Sequence, residues 1–245
     1  MSKKVKIWLI FVILTAVLTI VRLFGQDKLE DDRLITFIVQ PEQDVIKMYW
    51  KDDDGNRLKS IGRLQEWLAS KNQQLIFAMN GGMYLPDGTP QGLFIEDNIQ
   101  KTPIDTAQGT GNFYLMPNGI FYITNENRAV VTATASFQPS TNIRYATQSG
   151  PMLVIEGNIH PAFKQGSTNL HIRNGVGILP DNKVVFAMSK KAINLYDFAT
   201  YFKEIGCKNA LYLDGYVSRT YLPTKNWVQT DGDFGVMIGV CTKKN

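Results

Sequence analysis

The chain has 245 residues, with 26 basic and 22 acidic side chains and a formal net charge of +4. Lys3, Lys4, Lys6 and Arg22 account for that excess, so the part after residue 25 carries 22 basic and 22 acidic residues and no net charge. A neutral domain without a cluster of Lys and Arg among aromatic residues does not attract a polyphosphate backbone. Nucleic acid is therefore excluded as the expected partner.

A basic and then apolar segment opens the chain. Three lysines precede an uncharged stretch from Ile7 to Val21, an order that is typical of a secretion signal and keeps the amino end cytoplasmic. As a helix this stretch measures about 22 Å, between a signal-peptide core and a full span of about 30 Å. We predict a signal or uncleaved inner-membrane anchor over residues 1–25 and an extracytoplasmic domain, periplasmic in a Gram-negative cell, over residues 26–245. A buried core helix is disfavoured because the stretch has no amphipathic face.

The domain after this segment has roughly 220 residues, enough for one sizeable core and too few to favour two domains. Cys207 and Cys241 are its two cysteines. An oxidising compartment would permit a disulfide between them, and two buried free thiols are the equal alternative. Neither cysteine has metal-ligand spacing. We predict no cofactor, and the metal requirement and the oligomeric state stay open.

The first part of the domain predicts two strands, a helix and a buried strand. Runs rich in β-branched and aromatic residues predict a strand pair at residues 34–39 and 45–50. Apolar side chains recur at helical spacing from Leu58 to Leu68, which predicts an amphipathic helix. The apolar run from Leu75 to Met79 predicts a buried strand that ends at Asn80.

The rest of the domain is rich in predicted hairpins and contains one more helix. Asn194 is the predicted cap of that helix, whose apolar face runs from Leu195 to Ile205 and which stops at Gly206. The predicted strands lie at residues 92–96, 112–116, 120–124, 130–135, 152–155, 176–179, 184–188, 211–213 and 234–241. Many hairpins with two amphipathic helices predict an α+β fold, a single domain with a large mixed or antiparallel sheet.

Two of the predicted strands end at a polar residue that is followed by glycine. Asn80 is followed by Gly81 and Gly82, and Asp214 is followed by Gly215. Open sheets commonly form sites at such strand ends, and glycine permits close approach or positive φ angles. The pattern predicts a site, with a turn cap and simple backbone freedom as the structural alternatives.

Four short motifs in chain order resemble the phosphodiester glycosidase family, and the resemblance spans roughly residues 30 to 241. They are Asn80–Tyr84, Ser149–Pro151, Arg173–Gly177 and Leu213–Ser218. The resemblance implies a hydrolase that acts on a sugar-1-phosphodiester, with a phosphate-linked glycan or glycolipid of the cell envelope as its partner. The sequence departs from many relatives at Tyr216 and Val217, where they carry two glycines, so the substrate of the animal members is not carried over.

The chemistry of such a reaction assigns roles to individual residues. Hydrolysis at an anomeric carbon needs a nearby carboxylate, and Asp214 is our first choice. The guanidinium of Arg173 can bind two phosphate oxygens in a fork. His171 shares the strand face of Arg173 and is a predicted acid/base or phosphate donor, with a plain loop histidine as the alternative. The predicted substrate-binding residues are Asn80, Gly81, Gly82, Arg173, Gly215 and Ser218.

Several competing interpretations stay open at this point. Asp231 and Asp233 could bring a second carboxylate, and they suit a plain turn equally well. The segment Ser149–Pro151 lacks a Gly-x-Ser-x-Gly elbow, so serine-hydrolase chemistry is the weaker interpretation. A non-catalytic glycan-binding protein would keep the aromatic residues and the Asn80–Gly82 loop but tolerate loss of the Asp214 charge. An envelope assembly protein would have no concave polar site.

Overall fold

The computed structural model describes residue 29, residues 31–214 and residues 216–243. From Arg33 onward these residues form one compact unit. The predicted signal or anchor over residues 1–25, the boundary that follows it and Gly215 lie outside the described residues. Within the described ranges, no helix has both the length and the apolar character that are needed to cross a membrane.

Sixteen strands and two α-helices occur in the described part of the chain. The strands are β1 (Leu34–Val39), β2 (Ile46–Tyr49), β3 (Gln73–Gly82), β4 (Phe94–Glu96), β5 (Ile99–Thr102), β6 (Gly119–Thr124), β7 (Ala129–Ala133), β8 (Ile143–Ser149), β9 (Met152–Ile155), β10 (Asn158–Ile159), β11 (Asn174–Ile178), β12 (Val184–Ser189), β13 (Ala210–Asp214), β14 (Thr220–Leu222), β15 (Trp227–Val228) and β16 (Val236–Lys243). The helices are α1 (Ile61–Ser70) and α2 (Leu195–Glu204). The predicted α+β class is confirmed.

The strands are divided among three sheets whose pairings are antiparallel. The first sheet has the order β1-β12-β11-β13-β9-β10, the second β15-β14-β3-β16-β2 and the third β5-β4-β8-β6-β7. Phe77, Phe121 and Phe186 come from different sheets and share one core cluster. The ring centroids of Phe77 and Phe186 are 5.1 Å apart, and those of Phe121 and Phe186 are 5.9 Å apart. Burial of apolar surface between the sheets therefore joins them into one unit.

Both predicted helices form, and their caps explain where they begin. Helix α1 starts after Ser60, whose side chain accepts a hydrogen bond from the Arg63 N–H. Leu58 lies before the helix because Lys59, which follows it, has a left-handed φ of 63° that no helix continues through. Helix α2 starts after Asn194, whose Oδ1 accepts from the Asp197 N–H at 2.8 Å. The buried faces of these helices cover the sheets.

Three of the local predictions are wrong, and pairing between distant segments explains two of them. Strands β1 and β2 do not pair with each other, because β1 pairs with β12 and β2 pairs with β16. Residues 112–116 are not a strand, since Asn112–Tyr114 is a 3-10 turn that buries Phe113. Strand β3 runs past Asn80 to Gly82, because β16 continues to pair with it as far as Val236.

Other differences concern elements and cysteines that local patterns left unresolved. Strand β8 was not predicted, although it pairs with both β4 and β6 in the third sheet. Cys207 and Cys241 are free cysteines, the first buried and the second partly buried. The Cys241 Sγ lies 3.2 Å from the Gln73 Oε1. Of the two alternatives for the cysteines, the structure shows the free thiols.

Candidate active site

The candidate site lies where strand ends from two sheets meet. In the first sheet, β13 ends at Asp214 and its antiparallel neighbour β11 begins at Asn174, opposite Asp214 in register. In the second sheet, β3 carries Asn80 near its end and β14 begins at Thr220 beside Met79. The Asn174 side chain donates to the Asn80 carbonyl across the gap at 2.9 Å, so the two sheets are bonded to each other at this point.

Two buried asparagines form the centre of the site. The Asn174 Nδ2 also donates to the Asn80 Oδ1 at 2.9 Å, and the Asn174 Oδ1 accepts from the Asp214 N–H at 2.8 Å. The Asn80 Nδ2 donates to the Asp214 Oδ2 at 3.1 Å, while its Oδ1 accepts from the Arg219 N–H at 2.9 Å. Both side chains are fully buried. Because buried amides that lose a partner are costly, this network fixes the position of Asp214.

The Asp214 carboxylate is held through both of its oxygen atoms. Oδ2 accepts from Asn80, and Oδ1 accepts from the Tyr216 N–H at 3.2 Å. The residue is only 7% exposed. The Ser218 Oγ donates to the Asp214 carbonyl at 2.7 Å, and the Ser149 Oγ donates to the Leu213 carbonyl at the same distance. A negative charge in fixed orientation at a largely desolvated position is suited to stabilise developing positive charge.

Arg173 is buried next to this centre, with its nitrogen atoms engaged by protein oxygens. Its Nε donates to the Ile193 carbonyl at 2.7 Å and its Nη1 to the Tyr212 hydroxyl at 3.0 Å. Its Nη2 donates to the carbonyl and Oδ1 of Asn169 at 2.9 and 3.1 Å. This arrangement favours a positioning role for Arg173 over the predicted phosphate fork.

Tyr212 contacts the buried arginine and lies two residues before Asp214 in β13. Burial raises the pKa of its hydroxyl to about 12, the Arg173 charge opposes that rise, and the Asp214 charge adds to it. The guanidinium carbon of Arg173 is 5.5 Å from the centre of the Tyr212 ring. Tyr212 is therefore a neutral hydroxyl that accepts a hydrogen bond from Arg173 within the field of the Asp214 charge.

The remaining predicted residues divide between the strand interior and the rim. Gly81 and Gly82 lie buried in β3 without a left-handed φ. A Cβ at Gly82 would lie 2.5 Å from the Thr147 Oγ1, and a Cβ at Gly81 would lie 2.6 Å from Ile238, so glycine here permits close packing. His171 lies exposed at the rim, where its ring centroid is 6.5 Å from that of Tyr216. Their predicted roles toward substrate stay predictions.

Charged pairs surround the centre of the site. Asp231 and Asp233 each pair with an arginine, Arg219 and Arg57 respectively. Tyr84 is partly buried, and its burial together with the charges of Asp214 and Asp233 raises the pKa of its hydroxyl. Among the described residues, no group of three or more His, Cys, Asp or Glu side chains could hold a metal ion.

Sequence reasoning did not assign roles to Asn174, Tyr84 or Arg219. Asn174 and Tyr84 lie inside motifs that the sequence analysis used, and Arg219 directly follows Ser218. The sequence feature that could have identified these three residues was therefore their position inside or next to a motif. What the sequence lacked was the surroundings of each side chain, because Asn174 bonds Asn80, Arg219 bonds Asp231 and Tyr84 lies in the field of Asp214 and Asp233.

One family model matches most of the chain. Residues 73–240 match the family model that is described as phosphodiester glycosidase. The chain is 40% identical over 189 residues to the uncharacterized protein YigE of Escherichia coli K12, which covers 76% of this chain and 73% of that protein.

Solved structures provide a second comparison. The catalytic domain of zebrafish N-acetylglucosamine-1-phosphodiester alpha-N-acetylglucosaminidase superposes with a TM-score of 0.58 at 14% identity, over 86% of this chain and 84% of that one. A hypothetical protein from Synechocystis superposes with a TM-score of 0.53 at 12% identity, over 85% of this chain and 59% of that one. At these identities the likeness shows the fold.

Proposed function

Since the chain belongs to the phosphodiester glycosidase family, we propose that it hydrolyses the bond between a sugar and the phosphate of a phosphodiester. Family membership supports a function of the glycosidase and phosphodiesterase type. The printed name of the zebrafish protein specifies N-acetylglucosamine as its sugar. We leave the sugar of this chain open, because Tyr216 and Val217 add bulk beside Asp214.

The observation that carries this proposal is the buried Asp214 carboxylate, oriented through both oxygens at the junction of two sheets. In the reaction, the bond between the anomeric carbon and the phosphate oxygen breaks, and water supplies the new hydroxyl of the sugar. The anomeric carbon gains positive charge as that bond breaks, and the carboxylate stabilises it as counter-charge, nucleophile or base. The phosphate leaves as a monoester.

A single oriented carboxylate is sufficient for this leaving group. The second pKa of a phosphate monoester is about 6, so the departing oxygen needs little help from a general acid. Asp231 and Asp233 are exposed and paired with arginine. Their pairing supports a role at the rim over a role as the second carboxylate of a two-acid glycosidase.

Substitution of Asp214 tests the proposal directly. Asp214→Asn keeps the size of the side chain and most of its hydrogen-bonding geometry while removing the charge. We expect at least ~100-fold slower release of sugar from a synthetic sugar-1-phosphodiester by a variant that stays folded. Its melting temperature should fall, because an NH2 group replaces one of the two oxygens that accept from Asn80 and Tyr216. Asp181→Asn is the matched control, because Asp181 is an exposed residue in the turn between β11 and β12 that pairs with Lys183.

The outcomes separate catalysis from binding. Near wild-type turnover by a folded Asp214→Asn variant would remove Asp214 from catalysis. A wild-type protein that binds the substrate without any turnover would support the alternative of a glycan-binding protein.

We also propose that the domain acts outside the cytoplasm on an envelope glycan or glycolipid, with residues 7–21 delivering it and serving as a possible tether. The lysines before this apolar stretch support the proposal. A reporter that is active only outside the cytoplasm, fused after Asn245, should be active. An intact but inactive reporter would contradict export.

A further inference from the structure

Two carboxylates on one loop each hold an arginine at the rim of the site. Asp231 accepts two hydrogen bonds from Arg219, from Nε to Oδ1 at 2.8 Å and from Nη2 to Oδ2 at 2.9 Å. Asp233 accepts one from the Nη2 of Arg57 at 2.9 Å. The first pair has the parallel two-bond geometry with which arginine binds both carboxylate and phosphate.

Arg219 is connected to the proposed catalytic carboxylate by one amide. Its backbone N–H donates to the Asn80 Oδ1, and the Nδ2 of the same amide donates to the Asp214 Oδ2. Its Nη1 donates to the Ser218 carbonyl at 3.1 Å. The buried asparagine thus sets the distance between the arginine backbone and the carboxylate.

The pair between Arg219 and Asp231 is accessible to solvent. The side chains of Arg219 and Asp231 are 36% and 63% exposed, so water solvates both charges when the pair separates. A phosphodiester has two non-bridging oxygens and one negative charge, which matches the two oxygens and the charge of the Asp231 carboxylate. A phosphate can therefore replace Asp231 at the fork with little loss of stability.

The other arginines near the site are less available. Arg173 is 1% exposed and bonded to buried protein oxygens. The Arg57 side chain is 20% exposed, and its guanidinium packs against Gly88 so closely that a Cβ there would lie 1.8 Å from the Arg57 Cζ. Of these three arginines, Arg219 is the one that makes a two-bond pair with an exposed carboxylate.

We infer that Arg219 binds the phosphate of the substrate and that Asp231 holds its guanidinium in place until the phosphate replaces it. The inference rests on the proposed function and assigns its phosphate subsite. It assigns to Arg219 the two-bond recognition of phosphate that the sequence analysis predicted for Arg173. It also gives the segment from Asp231 to Asp233 a role other than that of a second catalytic acid.

Two substitutions with opposite expected effects test the inference. Arg219→Lys keeps the charge but loses the planar fork, so we expect kcat/KM for a sugar-1-phosphodiester to fall at least ~10-fold and the Kd for inorganic phosphate to rise. Asp231→Asn removes the competing charge, so we expect the Kd for inorganic phosphate to fall about 2–5-fold. A purely structural ion pair would not give tighter phosphate binding when its carboxylate is neutralised.

Arg144 and Asp97 provide the matched control. Their ion pair has side-chain exposures of 35% and 64%, close to those of the tested pair, and it lies in the third sheet region. Arg144→Lys and Asp97→Asn should leave both phosphate affinity and kcat/KM unchanged. Calorimetric titration with inorganic phosphate and thermal melts of all four variants complete the comparison.

The outcomes also separate this inference from the proposed function. Wild-type turnover that persists at full rate in Arg219→Lys and Arg219→Ala would overturn the inference and leave the proposed function intact. If the wild-type protein shows no turnover but binds phosphate in a way that depends on Arg219, the proposed function is contradicted and the phosphate site is supported. Weaker phosphate binding by Asp231→Asn would overturn the exchange between carboxylate and phosphate.

Discussion

The interior of the candidate site and its rim are held together by different chemistry. In the interior, Asn80, Asn174 and Arg173 are almost wholly buried, and the arginine bonds uncharged oxygens. At the rim, Arg57 and Arg219 pair with carboxylates that are more than half exposed. The interior fixes where Asp214 lies, whereas the rim presents charged pairs that solvent reaches.

The cost of losing a partner explains this division. A buried donor or acceptor without a partner costs about 1–3 kcal/mol, because no water replaces the lost bond. An exposed ion pair contributes about 1 kcal/mol or less, because water solvates both charges when they separate. Substitutions in the interior should therefore reduce the free energy of unfolding, and substitutions at the rim should change ligand affinity with little effect on stability.

The largest effect on stability is expected for Arg173. Arg173→Lys keeps the positive charge, but one ammonium group cannot reach Ile193, Tyr212 and Asn169 together. We expect the free energy of unfolding to fall by about 3 kcal/mol in urea denaturation, since buried hydrogen bonds to a charged group are lost. Arg144→Lys, an exposed control, should lose less than about 1 kcal/mol.

A stable Arg173→Lys variant with weakened phosphate binding would contradict the division into an interior that determines stability and a rim that binds ligand. It would show that the Arg173 guanidinium leaves its protein partners to bind ligand, and it would restore the phosphate fork at the position that the sequence indicated.

A smaller effect, confined to acidic pH, is expected for His160. This side chain is buried, its Nε2 lies 3.0 Å from the Met116 carbonyl, and burial lowers its pKa below the ordinary value of 6.5. Between the lowered pKa and about 6.5, the unfolded chain binds a proton that the folded chain does not, so stability must fall as the pH drops through this range.

Unfolding of the wild type and of His160→Gln at about pH 5.5 and about pH 7.5 measures this effect. The wild type should lose stability at the lower pH, and the variant should lose less. An equal loss in both proteins would assign the acid sensitivity to other groups and show that interior His160 is not the group that responds to pH.

Local patterns predicted the elements whose signals lie within a few residues. Helix α2 begins after its predicted cap Asn194, and β9 has the predicted bounds Met152–Ile155. Strand β8 escaped prediction because polar residues interrupt its apolar pattern. Its Gln148 is buried all the same, since the side-chain oxygen accepts from the N–H groups of Leu93 and Asp105. Partners from distant segments make that burial possible.

The sequence by itself placed Asp214 at a strand end and Asn80 near one, and it indicated the family, because strand patterns and short motifs are properties of contiguous residues. It also predicted an arginine that could bind phosphate in a fork. Only the tertiary structure decided that Arg173 is enclosed by uncharged oxygens and that Arg219 faces an exposed carboxylate. Charge and shape belong to the residue, but burial and available partners are set by segments that meet only when the sheets pack.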